Sequence, residues 1–304
     1  MSSAAILMSA LVLDAVAGEP RPLWSRVPHP AVLLGRAIAW ADTKLNTGAF
    51  LRAKGLLFLI GLAIIAGFAG LILQELGSLV EILVVAILLA HRSLMDHVGA
   101  VARDLRLSTG DGRRAVAMIV GRDTTNMQPP EIARAAIESA AENFSDGVIA
   151  PAFWFLLAGL PGIVIYKAVN TADSMVGYLT PRHAEFGWAS ARLDDLLNWV
   201  PARLTALLLA LTGGQMKAWS HISTEARLHR SPNAGWPEAA LARSLDVALS
   251  GPRSYDGIAG EYPFVHSAGN RDIGPVEIEA STRALWIGWG AFMAFCAFLA
   301  IVTI

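Results

Sequence analysis

The run from Gly55 to Leu73 carries no charged residue and is as long as a membrane span. Hydrocarbon leaves no water to satisfy backbone amides, so such a run must be helical. It is not alone. Leu79–Ala90 returns after a Gln74-Glu75-Leu76-Gly77-Ser78 turn, Trp199–Leu211 is a further run, and Ser281–Ile304 reads as a last span with Trp286 and Trp289 suited to an interfacial belt. Ala4–Ala17 is apolar but short, and reads as a retained first membrane helix because no Lys or Arg precedes it. The chain is 54% hydrophobic and 16% charged, against about 25% charged for soluble domains. The expected fold is an all-α polytopic membrane protein of about five to six membrane helices with cytoplasmic helical insertions. It reads as a single membrane-embedded domain over 1–304, with a helical insertion at 91–147 and a polar helix and loop insertion at 214–283. A net charge of −1 excludes a strongly basic nucleic-acid binder, and the single cysteine, Cys296, excludes an internal disulfide and cysteine-based zinc.

Loop charge sets sidedness. Residues 18–54 hold Arg21, Arg26, Arg36, Lys44, Arg52 and Lys54 against Glu19 and Asp42, which marks a cytoplasmic segment. Its prolines, with His29 between Pro28 and Pro30, read as extended or turn backbone, either a rigid connector or an edge that touches substrate. Ser93–Leu107 has helical apolar spacing, Thr109-Gly110-Asp111-Gly112 reads as a turn, and Arg113–Val120 as a short helix. Pro129-Pro130-Glu131 reads as a helix start. Within 215–279, Glu238–Leu249 reads as a helix between Gly/Pro/Asn-rich turns.

The chemistry concentrates between Gly121 and Pro201. Glu138, Glu142 and Asp146 fall at i, i+4 and i+8, and stacked like charges repel by a few tenths of a kcal/mol on an exposed helix. Either the face is exposed and countered by Arg134, or a divalent cation or cationic partner holds it. Val148–Ile165 is broken by Gly159-Leu160-Pro161-Gly162, which predicts two short helices or a re-entrant element. Lys167, Asn170 and Asp173 then form a polar stripe on an apolar helix, as a lined cavity would require. Asp194 and Asn198 are spaced to face one way, and Arg192 and Asp195 to pair. Arg122, with Asp123, Thr124 and nearby backbone amides, could take a phosphate. Up to this point a transporter or channelling scaffold without catalysis, a lipid-headgroup transferase and a ligase all stay open. No Walker A loop, dinucleotide fingerprint or HExxH motif is present.

Ordered strings narrow the choice. DAVAGEPRPLWSRVPHPAVLLG, HRSLMDHVGAVARDL, VGRDTTNM, ARAAIESAAENFSDGVIAPAFWFLLAGLPG, YKAVNTADSMVGY, FGWASARLDDLLNWVPARLTALLL, SPNAGWPEAALA and GPRSYDG follow one another across most of the chain. Together they resemble the membrane-bound adenosylcobinamide-phosphate synthase family of cobalamin biosynthesis (CobD/CbiB). The resemblance implies an ATP-dependent acid–amine ligase of the inner membrane, its site facing the cytoplasm. Its substrates would be adenosylcobyric acid and (R)-1-aminopropan-2-ol O-phosphate or free aminopropanol. It also implies ATP and Mg²⁺ as cofactors, with lipid and other membrane-bound cobalamin-assembly enzymes as partners. Under that resemblance Glu142, Asp146, Asp173, Asp194 and Asp195 are the candidates for Mg²⁺ ligands and general base. Asn143, Asn170 and Asn198 would orient them or meet substrate amides, and Arg122, Lys167 and Arg192 would meet phosphates. The most specific expectation is that Glu142, Asp173 and Asp194 converge.

Overall fold

The computed structural model describes residues 1–20, 24–255 and 258–302. Arg21 and Pro22 of the basic segment, and Asp256 and Gly257 of GPRSYDG, lie outside the described residues. The described chain is an all-α membrane protein with two minimal antiparallel strand pairs. Four helical segments are long and apolar enough to cross a membrane, namely Leu51–Gln74, Ser78–Leu107, Pro129–Val176 and Pro275–Val302, and the shorter apolar helices Ser3–Ala17 and Trp199–Thr212 accompany them. The chain divides into two compact units. One comprises 1–90, 150–199 and the end of the chain from Cys296. The other comprises 91–149 and 200–295.

The first unit contains α1 (Ser3–Ala17), α2 (Pro30–Lys44), α3 (Leu51–Gln74), α4 (Ser78–Leu88), α8 (Ala150–Val176) and α9 (Trp188–Leu197). From Pro30 the proline-rich run turns helical rather than extended. His29 caps it through Nδ1, which accepts the Ala31 N–H at 3.1 Å, and Pro30 at the first helical position needs no acceptor. Small residues let α3 and α8 pack backbone to backbone, and Ala41, Leu59, Leu62, Ala66, Ala168, Val169 and Ala172 form their shared core.

The break in α8 is real. Ala158 and Gly159 leave helical geometry, with Gly159 at φ 62°. A Cβ on Gly162 would lie 2.4 Å from the Trp154 carbonyl oxygen. In a straight helix those residues would be about 12 Å apart along the axis, so the chain folds back, as a re-entrant pair does. Gln74, ending α3, accepts the Leu160 N–H at 3.2 Å and so satisfies one amide released by the break. Gly70 lies against the same point, where a Cβ would stand 2.6 Å from Pro161 Cα. Gly70→Leu is therefore expected to lower stability by about 1–3 kcal/mol or more, read as a lower melting temperature in detergent. An unchanged melting temperature would mean that α3 and α8 are not this close.

The second unit contains α5 (His91–Leu107), α6 (Thr109–Ala117), α7 (Pro129–Phe144), a π-helical turn (Ser145–Ile149), α10 (Trp199–Thr212), α11 (Trp219–Ala226), α12 (Gly235–Leu245) and most of α13 (Pro275–Val302). The expected turn at 109–112 is instead the first turn of α6. Ser108 accepts the Asp111 N–H at 3.0 Å, and Gly112 packs on Leu105. The start of α7 is as expected, with the Glu131 carboxylate taking the Gln128 N–H at 2.6 Å. Two antiparallel pairs, β1 (Leu249–Ser250) with β4 (Phe264–Val265) and β2 (Arg253–Tyr255) with β3 (Ile258–Gly260), follow α12. His91 is buried at the head of α5 with Phe144, Trp286 and Trp289 around its ring.

Candidate functional site

In the first unit the polar stripe of α8 meets the start of α9. Tyr166 donates its hydroxyl to Asn198 Oδ1 at 2.9 Å. The Asn198 amide donates to Asp194 Oδ2 at 3.0 Å, and Asn170 donates to Asp194 Oδ1 at 3.1 Å. Each oxygen of the carboxylate thus receives a carboxamide N–H, and the second amide is itself fixed by a phenol. The expected Asp194–Asn198 and Arg192–Asp195 pairs both form, the latter at 3.7 Å. Burial pushes the Asp194 carboxyl up to about 6. The like charge of Asp195 adds to that, while both amides and Lys167 hold it down. Asp195 is also raised, by burial, and Arg192 opposes this. The Lys167 charge reaches His29 as well, so the Pro-His-Pro segment borders this cluster. Asp173 sits one turn beyond Asn170. Gly177 leaves room for it, since a Cβ there would lie 1.8 Å from Asp173 Oδ1.

In the second unit the three acids of the ladder differ in exposure: Glu138 is buried, Glu142 exposed and Asp146 half-buried, the last lying in the π-helical turn that begins at Ser145 and ends the regular spacing. Glu138 has a cationic partner, but it is not Arg134. Arg122 donates to Glu138 Oε2 at 2.6 Å and Arg253 reaches the same oxygen at 3.4 Å, while Oε1 accepts the Ser250 N–H at 2.8 Å. Arg122, expected to meet phosphate, is therefore tied first to a carboxylate. Asp123 Oδ1 accepts the Thr125 N–H at 2.9 Å. Asn143 donates to the Ser139 carbonyl at 2.9 Å.

Behind Glu138 lies Glu238 on α12, fully enclosed. Burial, then the negative charge of Glu138, push its carboxyl well above the usual range. His229 stands 3.9 Å from it, and burial, then Arg253, push the imidazole down to about 4. Burial thus acts on both partners in the same sense, disfavouring the charged form of each. Ser250 holds φ 60°, uncommon for a non-glycine residue, and so marks the point where the chain turns to deliver Arg253.

Among the described residues, no group of three or more His, Cys, Asp or Glu gathers at metal-holding distance. A Mg²⁺ ion takes one or two carboxylates and completes its shell with water and substrate phosphate, so this does not exclude one. Glu142, exposed, and Asp146, half-buried, are hard oxygen donors of the kind it accepts.

A family model described as CobD/Cbib protein matches residues 7–285. The chain belongs to the CobD/CbiB family. Proteins named cobalamin biosynthesis protein CobD from Brucella anthropi and from Rhizobium meliloti are each 47% identical to it over 300 residues, 92% of either chain. One from Rhodobacter capsulatus is 47% identical over 272 residues, 86% of either chain. No solved structure matches the chain. The strings YKAVNTADSM and ARLDDLLN build the first polar cluster, and VGRDTTNM, ARAAIESAAENF, SPNAGWPEAALA and GPRSYDG the second. Arg253, Glu238 and His229 were not singled out as site residues from sequence. Only the motif strings flagged the first two, because lone Arg and Glu residues in polar loops carry no periodic signal.

Proposed function

We propose that this CobD/CbiB protein is an ATP-dependent amide ligase of cobalamin biosynthesis, an adenosylcobinamide-phosphate synthase of the inner membrane whose site faces the cytoplasm. It joins a carboxyl group of adenosylcobyric acid to (R)-1-aminopropan-2-ol O-phosphate, or to aminopropanol, while ATP is split to ADP and phosphate. Membership of a family whose relatives are named for cobalamin biosynthesis supports the pathway. The observation that carries the chemistry is Asp194, a buried carboxyl pushed up to about 6 and held at both oxygens by fixed amides.

A carboxylate resists attack by an amine until one oxygen becomes a leaving group. The corrinoid carboxylate takes the terminal phosphoryl group of ATP and ADP departs. The amine nitrogen then attacks the carbonyl carbon, phosphate leaves, and the nitrogen gives up a proton. Asp194 takes that proton, since a base titrating near 6 is ionised at pH 7 yet more basic than an ordinary carboxylate. Asn170 and Asn198 hold its orientation, and Asp195 and Lys167 set the local field. Arg192, which pairs with Asp195, and Arg122, which pairs with Glu138, would meet phosphate charge, with Asp123 and Thr124 next to Arg122 in sequence and Asn143 contacting substrate. Glu142 and Asp146, or Asp173, would hold Mg²⁺, which when bound would neutralise charge on the transferring phosphoryl group.

Purified protein given ATP, Mg²⁺, adenosylcobyric acid and aminopropanol phosphate is expected to release ADP in step with an amidated corrinoid. A transporter or scaffold would bind the corrinoid and release none. If Asp173→Asn and Asp194→Asn both kept the full rate, the assignment of the acids would be dead.

A further inference from the structure

Two strings of the sequence, VGRDTTNM and GPRSYDG, meet in the second unit around a cleft of about 200 Å³ lined by Arg122, Asp123, Asn126, Glu131, Arg134 and Arg253, among others. We propose that this cleft binds the phosphate group of a small molecule, with Arg134 and Arg253 as contacting residues in addition to Arg122. It is smaller than the ~300–1,000 Å³ that encloses a whole drug-sized ligand, so it suits a charged head group whose remainder lies outside.

The charge arrangement carries the argument. The side chains of Arg122 and Arg253 are 9% and 10% exposed, and both pair with the same Glu138 oxygen. One carboxylate is thus divided between two buried guanidiniums, and Arg134 adds a third cation to the cleft wall. The two acids on the wall are turned to backbone: Asp123 to the Thr125 N–H and Glu131 to the Gln128 N–H. Both acids keep their charge but turn these oxygens to backbone, so an oxyanion entering the cleft meets guanidiniums that are already desolvated and fixed.

Aromatic rings do the fixing. Arg134 lies 5.3 Å from the Phe264 ring centroid and Arg271 lies 4.2 Å from the same ring, while Arg253 stands 4.8 Å from that of Tyr262. A guanidinium held by its face keeps its N–H edge for a planar or tetrahedral oxyanion. The left-handed Ser250 and Gly251, the latter packed on Phe264, carry the chain into Arg253. The inference rests on the ligase reading only for the source of the phosphate, which is either the nucleotide or the phosphorylated amine.

The test is equilibrium binding of ATP, of aminopropanol phosphate and of inorganic phosphate to the purified full-length protein without corrinoid. At least one should bind in a salt-dependent way. Arg134→Gln and Arg253→Gln should each weaken it about tenfold or more, with partial recovery in Arg253→Lys. Arg243→Gln, which loses only the pair with Glu225, should leave it unchanged. The probe that responds names the source. Wild-type protein that binds none of the three, or Arg134→Gln and Arg253→Gln proteins that bind as wild type does, overturns the proposal. Binding that the variants lose, in a protein that forms no amide, keeps this cleft and removes the ligase reading. Amide synthesis with unaltered binding in both variants does the reverse.

Discussion

Replacing Asp194 by asparagine is expected to slow amide synthesis by about 10²–10⁴-fold while making the protein more stable at neutral pH. The two effects have one origin. The carboxyl goes from an ordinary 3.8 in the unfolded chain to about 6 in the folded protein. The folded state therefore binds this proton more tightly, and the carboxyl opposes folding increasingly as pH rises from about 4 to about 6, then by a constant amount. That amount is roughly 3 kcal/mol. Asparagine removes it, and the hydrogen bonds can be repaired: Asn198 turns its oxygen toward the new amide and gives its NH₂ to the Tyr166 oxygen. Unfolding in detergent at pH 8 should favour the variant by about 1–3 kcal/mol, with the advantage gone near pH 4. Wild-type activity should fall as pH drops through about 6, and the residual activity of the variant should lack that limb. A variant as active as wild type, or a wild-type rate that is flat between pH 5 and 7, rules out Asp194 as the base.

Glu138→Ala should be among the most destabilising single changes in the second unit, by about 3–5 kcal/mol. The loss leaves two guanidiniums, each about nine-tenths buried, facing one another without their shared carboxylate, and removes the acceptor of the buried Ser250 N–H. Glu138→Gln should cost less, since the amide oxygen can still accept one of these bonds. The mechanism has a second signature. Adding Arg122→Met to Glu138→Met should recover part of the loss, because the Arg122 share of the penalty comes from stranded charge rather than lost volume, while Arg253 stays stranded. Melting temperatures of the single and double variants decide this. Additive losses would mean that the pair is not coupled.

The sequence made some of this architecture plain and hid the rest for identifiable reasons. The helices Leu51–Gln74 and Pro275–Val302 follow from uncharged length, although their polar first turns extend them beyond the apolar runs. The break at Gly159 was legible because Gly-Leu-Pro-Gly in a membrane run permits little else. α2 and α6 were not: proline beside His29, and glycine either side of Asp111, signal turns until a cap and a tertiary contact overrule them. The same division holds at the sites. Asp194 with Asn198 and Arg192 with Asp195 could be read from helical spacing, whereas Asn170 reaches Asp194 across 24 residues. Arg134 is one turn from Glu138, yet the carboxylate pairs with Arg122 and Arg253, which no spacing announces. Glu238 and His229 owe their altered protonation to burial, which is a property of the folded chain alone.

The Gln74 side-chain oxygen that receives the Leu160 amide is made 86 residues before that amide leaves the ribosome. Synthesis therefore runs in the order that the membrane requires. The acceptor is in place, at the end of an autonomous helix, before the strained segment has to enter an environment without water. The fold-back is never asked to assemble alone, and the acceptor for its exposed amide comes from a helix already inserted. For biogenesis, Leu51–Gln74 is thus a template as well as a span, and a circular permutant that placed Ala150–Val176 ahead of it would have to insert the break unassisted.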